Sequence, residues 1–198
     1  YMVSEDVKTH ILNMGAEIIH QKGYNNTSIN EICSAANIPK GSFYYYFGSK
    51  EDFADELIDY HCSFMFSIQE KYLNMAGLRY IDRLRSYYEE FRSYFESKNC
   101  SGGCPIGNLA QELSDSNDTL RKKLQEALEK TKKNIAVFIE KAQENNEISG
   151  ELNSEDLADF IFNSWEGSLL RMKVTKSMIP MELFEKMVFE VILNNYRK

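Results

Sequence analysis

The chain has 198 residues and a mass of 23.0 kDa; 43% of the residues are hydrophobic, 27% are charged, and there are only 10 Gly and 3 Pro. That length carries one generous domain or a small one joined to a larger, and the composition excludes a disordered, collagen-like or disulfide-framed chain. A net charge of -7 disfavours nonspecific adhesion to nucleic acid, but Lys8, Lys22, Lys40 and Lys50 balance the acids of the first fifty residues, so the acidity lies beyond them.

Gly and Pro are too sparse to punctuate an all-β chain, and stretches dense in Glu, Lys, Leu and Ala predict an all-α fold. Val7, Ile11, Leu12, Ile18 and Ile19 recur at helical spacing, and Gly23 stops this first helix. Ser28 and Glu31 form a capping box that opens a short helix through Ile29, Ile32 and Ala35. That helix ends at Asn37, which tolerates a left-handed turn. Pro39 suits the start of a helix from Lys40 to Phe47, with Phe43 and Phe47 one turn apart and facing inward. Ser49 caps a longer helix reaching about Asn74, with Glu51 and Asp52 in its first turn and Phe53, Leu57, His61 and Phe64 as its stripe.

Ile81, Leu84, Tyr88, Phe91 and Phe95 mark the next helix, which the loop 99–103 breaks. Pro105 restarts a helix through Leu109 and Leu113, and Leu120, Leu124, Leu128, Ile135, Phe138 and Ala142 define a long one after Asp118. Beyond Gly150 lie a pair of helices, roughly 154–176 with Leu157, Ile161, Trp165 and Leu169, and 180–196 with Leu183, Met187, Val191 and Ile192. About nine helices and no strand are expected. With four cysteines, no leader-like segment and no apolar run near about 18 residues, the expected setting is a reducing cytoplasm without a membrane span.

Two short helices joined by Ala36-Asn37-Ile38 match a helix-turn-helix, whose second helix enters the major groove. The order Thr27, Ile29, Ile32, Ala35-Ala36-Asn37-Ile38, Gly41, Phe43-Tyr44-Tyr45-Tyr46-Phe47, Lys50-Glu51, with Ile11-Leu12 and Gly23-Tyr24 before it, resembles the TetR family of bacterial transcriptional repressors nearly position by position. The likeness runs over about residues 7 to 60. It departs at Asn37, where the family usually has Gly, and at Tyr46, where His is commoner. The resemblance implies a DNA-binding domain over 1–48 and an effector-sensing and dimerisation domain over 49–198.

Between Phe43 and Phe47 the exposed face offers Lys40, Gly41, Ser42, Tyr45 and Tyr46, with Tyr44 alongside. Lys40 can donate to guanine, Gly41 lets the backbone approach closely, and Ser42 can donate or accept. The hydroxyls of Tyr44 and Tyr46, the Lys50 ammonium and the helix start at Thr27 and Ser28 suit phosphate oxygens. The competing reading is that three consecutive tyrosines merely cover a core edge.

So few phosphate contacts on an acidic chain call for a dimer reading two half-sites of a palindrome. The last two helices carry broad apolar faces, and Ser164, Gly167 and Ser168 beside Trp165 would admit a second helix; the family resemblance implies a four-helix interface between copies. A cavity lined by aromatics such as Tyr88 and Phe91, with Asn108 or Trp165 as polar anchors, would resemble the family's small-molecule pocket.

Cys104 precedes a helix opened by Pro105, where amides and the helix dipole favour thiolate. The stretch through Asn108-Leu109-Ala110-Gln111-Glu112 resembles a branch of the family that senses electrophiles and oxidants, which implies a sensor role for Cys104; a small residue at a helix cap is the structural alternative. Cys62, beside His61, is core or pocket. Cys100 and Cys104 lack a second Cys/His pair, so no metal site is expected, and no cofactor loop or nucleophile elbow appears, so an enzyme is disfavoured. The expectation is therefore a homodimeric repressor released from operator DNA by a small molecule or electrophile. The alternative is a helical small-molecule binding or adaptor protein that does not act on DNA.

Overall fold

A computed structural model describes residues 4–196, and every extended regular element in that span is helical. The first three helices are α1 (Ser4–Lys22), α2 (Ile29–Ala35) and α3 (Lys40–Phe47). They are followed by α4 (Lys50–Leu73), α5 (Tyr80–Ser97), α6 (Pro105–Leu113), α7 (Asp118–Glu144) and α8 (Ser154–Thr175). A last run joins α9 (Ile179–Glu185), a π-helical stretch (Lys186–Ile192) and α10 (Leu193–Asn195) without a break. The all-α fold with nine helical runs is thus as the sequence predicts among the described residues. None of these helices is long and apolar enough to cross a membrane.

The chain forms two compact units: residues 1–63 with 105–127, and residues 64–104 with 128–198. They do not divide at residue 48. The first half of α4 stays with the reading helices because Phe53, fully buried, packs against Phe43 at 5.5 Å and meets Phe47 edge-on at 5.0 Å. Gly15 permits this packing, since a Cβ there would stand 2.4 Å from the Phe53 ring. In the same unit Lys123 on α7 reaches Asp55 at 2.5 Å and Asp59 at 2.7 Å on α4. Ile106, Leu109 and Leu113 bury one face of α6.

In the other unit Ile81, Leu84, Tyr87, Tyr88 and Phe95 of α5 meet Ile161, Trp165 and Leu169 of α8 and Phe184 and Val188 of the last run in one apolar core. Asn153, one residue before α8, caps it by accepting from the amides of Glu155 at 2.9 Å and Asp156 at 3.0 Å. The π stretch puts the neighbouring residues Val188 and Phe189 both inside. Leu183, Met187 and Val191, the apolar positions read at helical spacing along this run, are exposed in the single chain. Phe64 also departs from expectation: it is 62% exposed, because Ile58 and Cys62 take the inward positions after Leu57.

His61 is held neutral. Burial first, and then the nearby His20, push its pKa from 6.5 down to about 4. The unfolded side chain takes a proton at a higher pH than the folded one, so its contribution is complete above pH 6.5 and is lost as pH falls toward 4. Lowering pH from 7.5 to 5 should therefore remove about 2 kcal/mol of stability through this group. Thermal melts of wild type and His61→Leu at the two pH values check this, with a smaller pH shift expected for the variant; equal shifts would remove His61 as the cause.

Candidate nucleic-acid interface

The capping box at the start of α2 is complete: the Glu31 amide donates to Ser28 Oγ at 3.2 Å and the Ser28 amide to Glu31 Oε2 at 2.8 Å. Asn37, with φ 52°, supplies the left-handed residue of the turn. α3 then anchors itself through buried Phe43 and Phe47, whose rings lie 5.2 Å apart. Its other side leaves Lys40, Gly41, Tyr44 and Tyr45 exposed, with Ser42 and Tyr46 half-buried. Tyr45 is 81% exposed, so it covers no core edge, and its ring meets Tyr46 edge-on at 5.0 Å. Nothing lies within 4 Å of where a Gly41 Cβ would be. Packing gives no reason for a glycine that costs a helix about 1 kcal/mol relative to Ala, whereas a closely approaching ligand would.

The residues expected to meet phosphate are placed differently from one another. Thr27 is 1% exposed and its hydroxyl donates to the Gly23 carbonyl at 2.7 Å, so it is not a surface donor. Ser28 is exposed, but its amide and hydroxyl are both bound to Glu31. The Glu31 carboxyl is held down to about 2 by hydrogen bonds from Lys22 first and from Ser28. The half-buried Lys50 donates to the Tyr24 carbonyl at 2.7 Å and stands 4.1 Å from the Tyr24 ring centre. Burial lowers its pKa despite Glu51, Glu112 and Glu31 nearby. An ammonium has three protons, and this hydrogen bond uses one of them.

Sequence reasoning missed two carboxylates. Glu112 on α6 accepts from the Tyr24 and Asn25 amides at 2.9 and 2.8 Å, 88 and 87 residues away. Glu166 on α8 is hydrogen-bonded to the Cys104 thiol; burial raises its pKa and the thiol contact partly offsets this. Neither pairing leaves a local spacing signal.

Of the effector candidates, Tyr88, Phe91 and Trp165 come together: the Trp165 ring lies 4.8 Å from Tyr88 and 6.5 Å from Phe91. Tyr88 and Trp165 are buried in the core, and Phe91 is partly buried against it. Tyr88 is 1% exposed, its hydroxyl has no hydrogen-bond partner, and burial drives its pKa well up. A cavity of about 280 Å³ in this unit lies elsewhere, against Arg79, Arg85, Glu147 and Phe189. Cys104 is half-buried against the same core. Cys62, buried, and Asn108, half-buried, belong to the other compact unit. None of the four thiols is in a disulfide, and no group of three His, Cys, Asp or Glu among the described residues could hold a metal ion.

Residues 11–57 match the family described as bacterial regulatory proteins, tetR family, and residues 81–188 match the tetracyclin repressor-like C-terminal domain. The chain belongs to the TetR family. It is 32% identical to the HTH-type transcriptional repressor DhaR of Mycobacterium sp. strain GP1, over 97% of this chain and 95% of that one. A TetR regulatory protein from Rhodobacter sphaeroides superposes with a TM-score of 0.86 at 29% identity, over 92% of this chain and 96% of that one. The reduced form of Escherichia coli NemR gives a TM-score of 0.83 at 26% identity, over 94% and 97%. As a TetR-family member the chain is a DNA-binding transcriptional regulator, and its helix-turn-helix is the nucleic-acid-binding element. Its relatives are named as regulators, not as enzymes.

Proposed function

We propose that the chain is a homodimeric cytoplasmic repressor whose two α3 helices read a palindromic operator, and which a small molecule or reactive electrophile releases. The observation that carries this reading is the solvent-facing side of α3, where Lys40, Tyr44 and Tyr45 are exposed without a packing duty and Gly41 opens the backbone. Lys40, Gly41, Ser42 and Tyr45 read base edges; Tyr44, Tyr46 and Lys50 hold phosphates.

The two roles separate by experiment. Lys40→Ala or Tyr45→Ala should relax base preference, at about 1–3 kcal/mol per lost contact. Lys50→Ala should weaken every sequence and reduce the salt slope by about one phosphate contact. Titrations of operator and scrambled duplexes at several salt concentrations check both, and a changed base preference with an unchanged salt slope would contradict the phosphate role of Lys50. A folded dimer that fails at low salt to retard DNA from its own upstream region would sink the operator reading and favour an adaptor that does not act on DNA.

Dimerisation is supported by Leu170 and Val174 of α8 and by Ile179, Leu183, Met187 and Val191 of the last run, all apolar and exposed. Gly167 offers open space among them for a partner helix. Sensing by Cys104 is supported by its place before α6 and by a relative, NemR, whose redox state distinguishes one solved form. A thiol-modifying electrophile should release operator DNA from wild type, while Cys104→Ser stays bound. Gel shifts with a reducing-agent chase check this; equal release of both proteins, reversed by dialysis, would point instead to a noncovalent ligand.

A further inference from the structure

The turn between α1 and α2 is bound from both sides by charges. The peptide unit joining Tyr24 and Asn25 donates its N–H to Glu112 at 2.8 Å, and its carbonyl accepts from Lys50 Nζ at 2.7 Å. Glu112 also takes the Tyr24 amide at 2.9 Å, so one carboxylate fixes two successive peptide planes. The same Tyr24 carbonyl accepts the Thr27 amide at 3.1 Å, on the way into α2. Gly23 makes the approach possible: its φ is 86°, and a Cβ there would lie 2.9 Å from Glu112 Oε1. Hydrogen bonds in series polarise one another, so a carboxylate on the N–H strengthens the hold of the carbonyl on the ammonium.

We propose that Glu112 is a positioning residue for operator binding, which orients the Tyr24–Asn25 peptide and through it holds the Lys50 ammonium ready for phosphate. A free lysine side chain loses rotamer freedom when it is fixed; here part of that ordering precedes DNA. Glu112 spends its charge on backbone amides and touches no DNA. The proposal rests on the reading of Lys50 as a phosphate contact, and it extends that reading to a residue 62 positions away.

The test is a double-mutant cycle in the full chain, with affinity measured on a duplex that the wild-type protein selects from a randomised pool. Glu112→Gln keeps the shape but can accept only one of the two amides through its single carbonyl oxygen, and should weaken binding about three- to tenfold. Lys50→Ala should also weaken it, and the double variant should be no worse than Lys50→Ala within about twofold, because the two changes remove one effect. Amide hydrogen exchange at Tyr24 and Asn25 should accelerate in Glu112→Gln. If that variant misfolds, Glu112→Asp, which keeps the charge but shortens its reach, is read in the same cycle. Losses that multiply, or a Glu112 variant that binds as well as wild type, would overturn the proposal while leaving the Lys50 assignment standing. A Lys50→Ala protein that binds as tightly as wild type would overturn both.

Discussion

Phe43→Ala should cost about 3–5 kcal/mol of stability, the range for removing a fully buried aromatic ring from a core. Phe43 has no exposed surface, and its ring meets Phe47 at 5.2 Å, Phe53 at 5.5 Å and Tyr44 edge-on at 5.8 Å. Those neighbours come from both α3 and α4, so a cavity there loosens the packing of α3 on α4. A loss of this size is a large fraction of the about 5–15 kcal/mol that holds a typical domain. Denaturant titration of the purified chain should show a markedly earlier transition for Phe43→Ala, and operator binding should fail with it. Phe43→Leu, which refills most of the volume, should cost less than half as much. An unchanged midpoint for Phe43→Ala would mean that other contacts hold α3 in place.

Leu183→Glu should turn a dimer into a monomer. Leu183 is 48% exposed in the single chain and lies one turn from Met187 and from Ile179 on the open stripe. In an isolated protomer the substitution sits in water and should change stability by no more than about 0.5 kcal/mol. Between two apolar faces it would bury an unpaired carboxylate, at a cost of several kcal/mol. Sedimentation should therefore show half the mass, with the helical circular dichroism retained. Operator affinity should fall by at least about a hundredfold, since one reading head makes half of the contacts. Retention of the dimer by Leu183→Glu would move the interface off this face.

The sequence alone determined the features that act over a few residues. The helices follow from apolar spacing, the α2 start from Ser28 and Glu31, the turn from the left-handed tolerance of Asn37, and the burial of Phe43 and Phe47 from their one-turn separation. The order of those same residues was enough to suggest the family. Other features depend on elements far apart in the chain. The π stretch turns the adjacent residues Val188 and Phe189 inward together, which a regular helical spacing does not foretell. Packing, and not periodicity, exposed Phe64 and buried Thr27. It also kept the first half of α4 with the reading helices beyond residue 48. Glu112 and Tyr24, like Glu166 and Cys104, are paired only by the tertiary fold. Helical periodicity and caps couple residues within about one turn, so a carboxylate that meets its partners across more than sixty residues carries no mark in the local pattern.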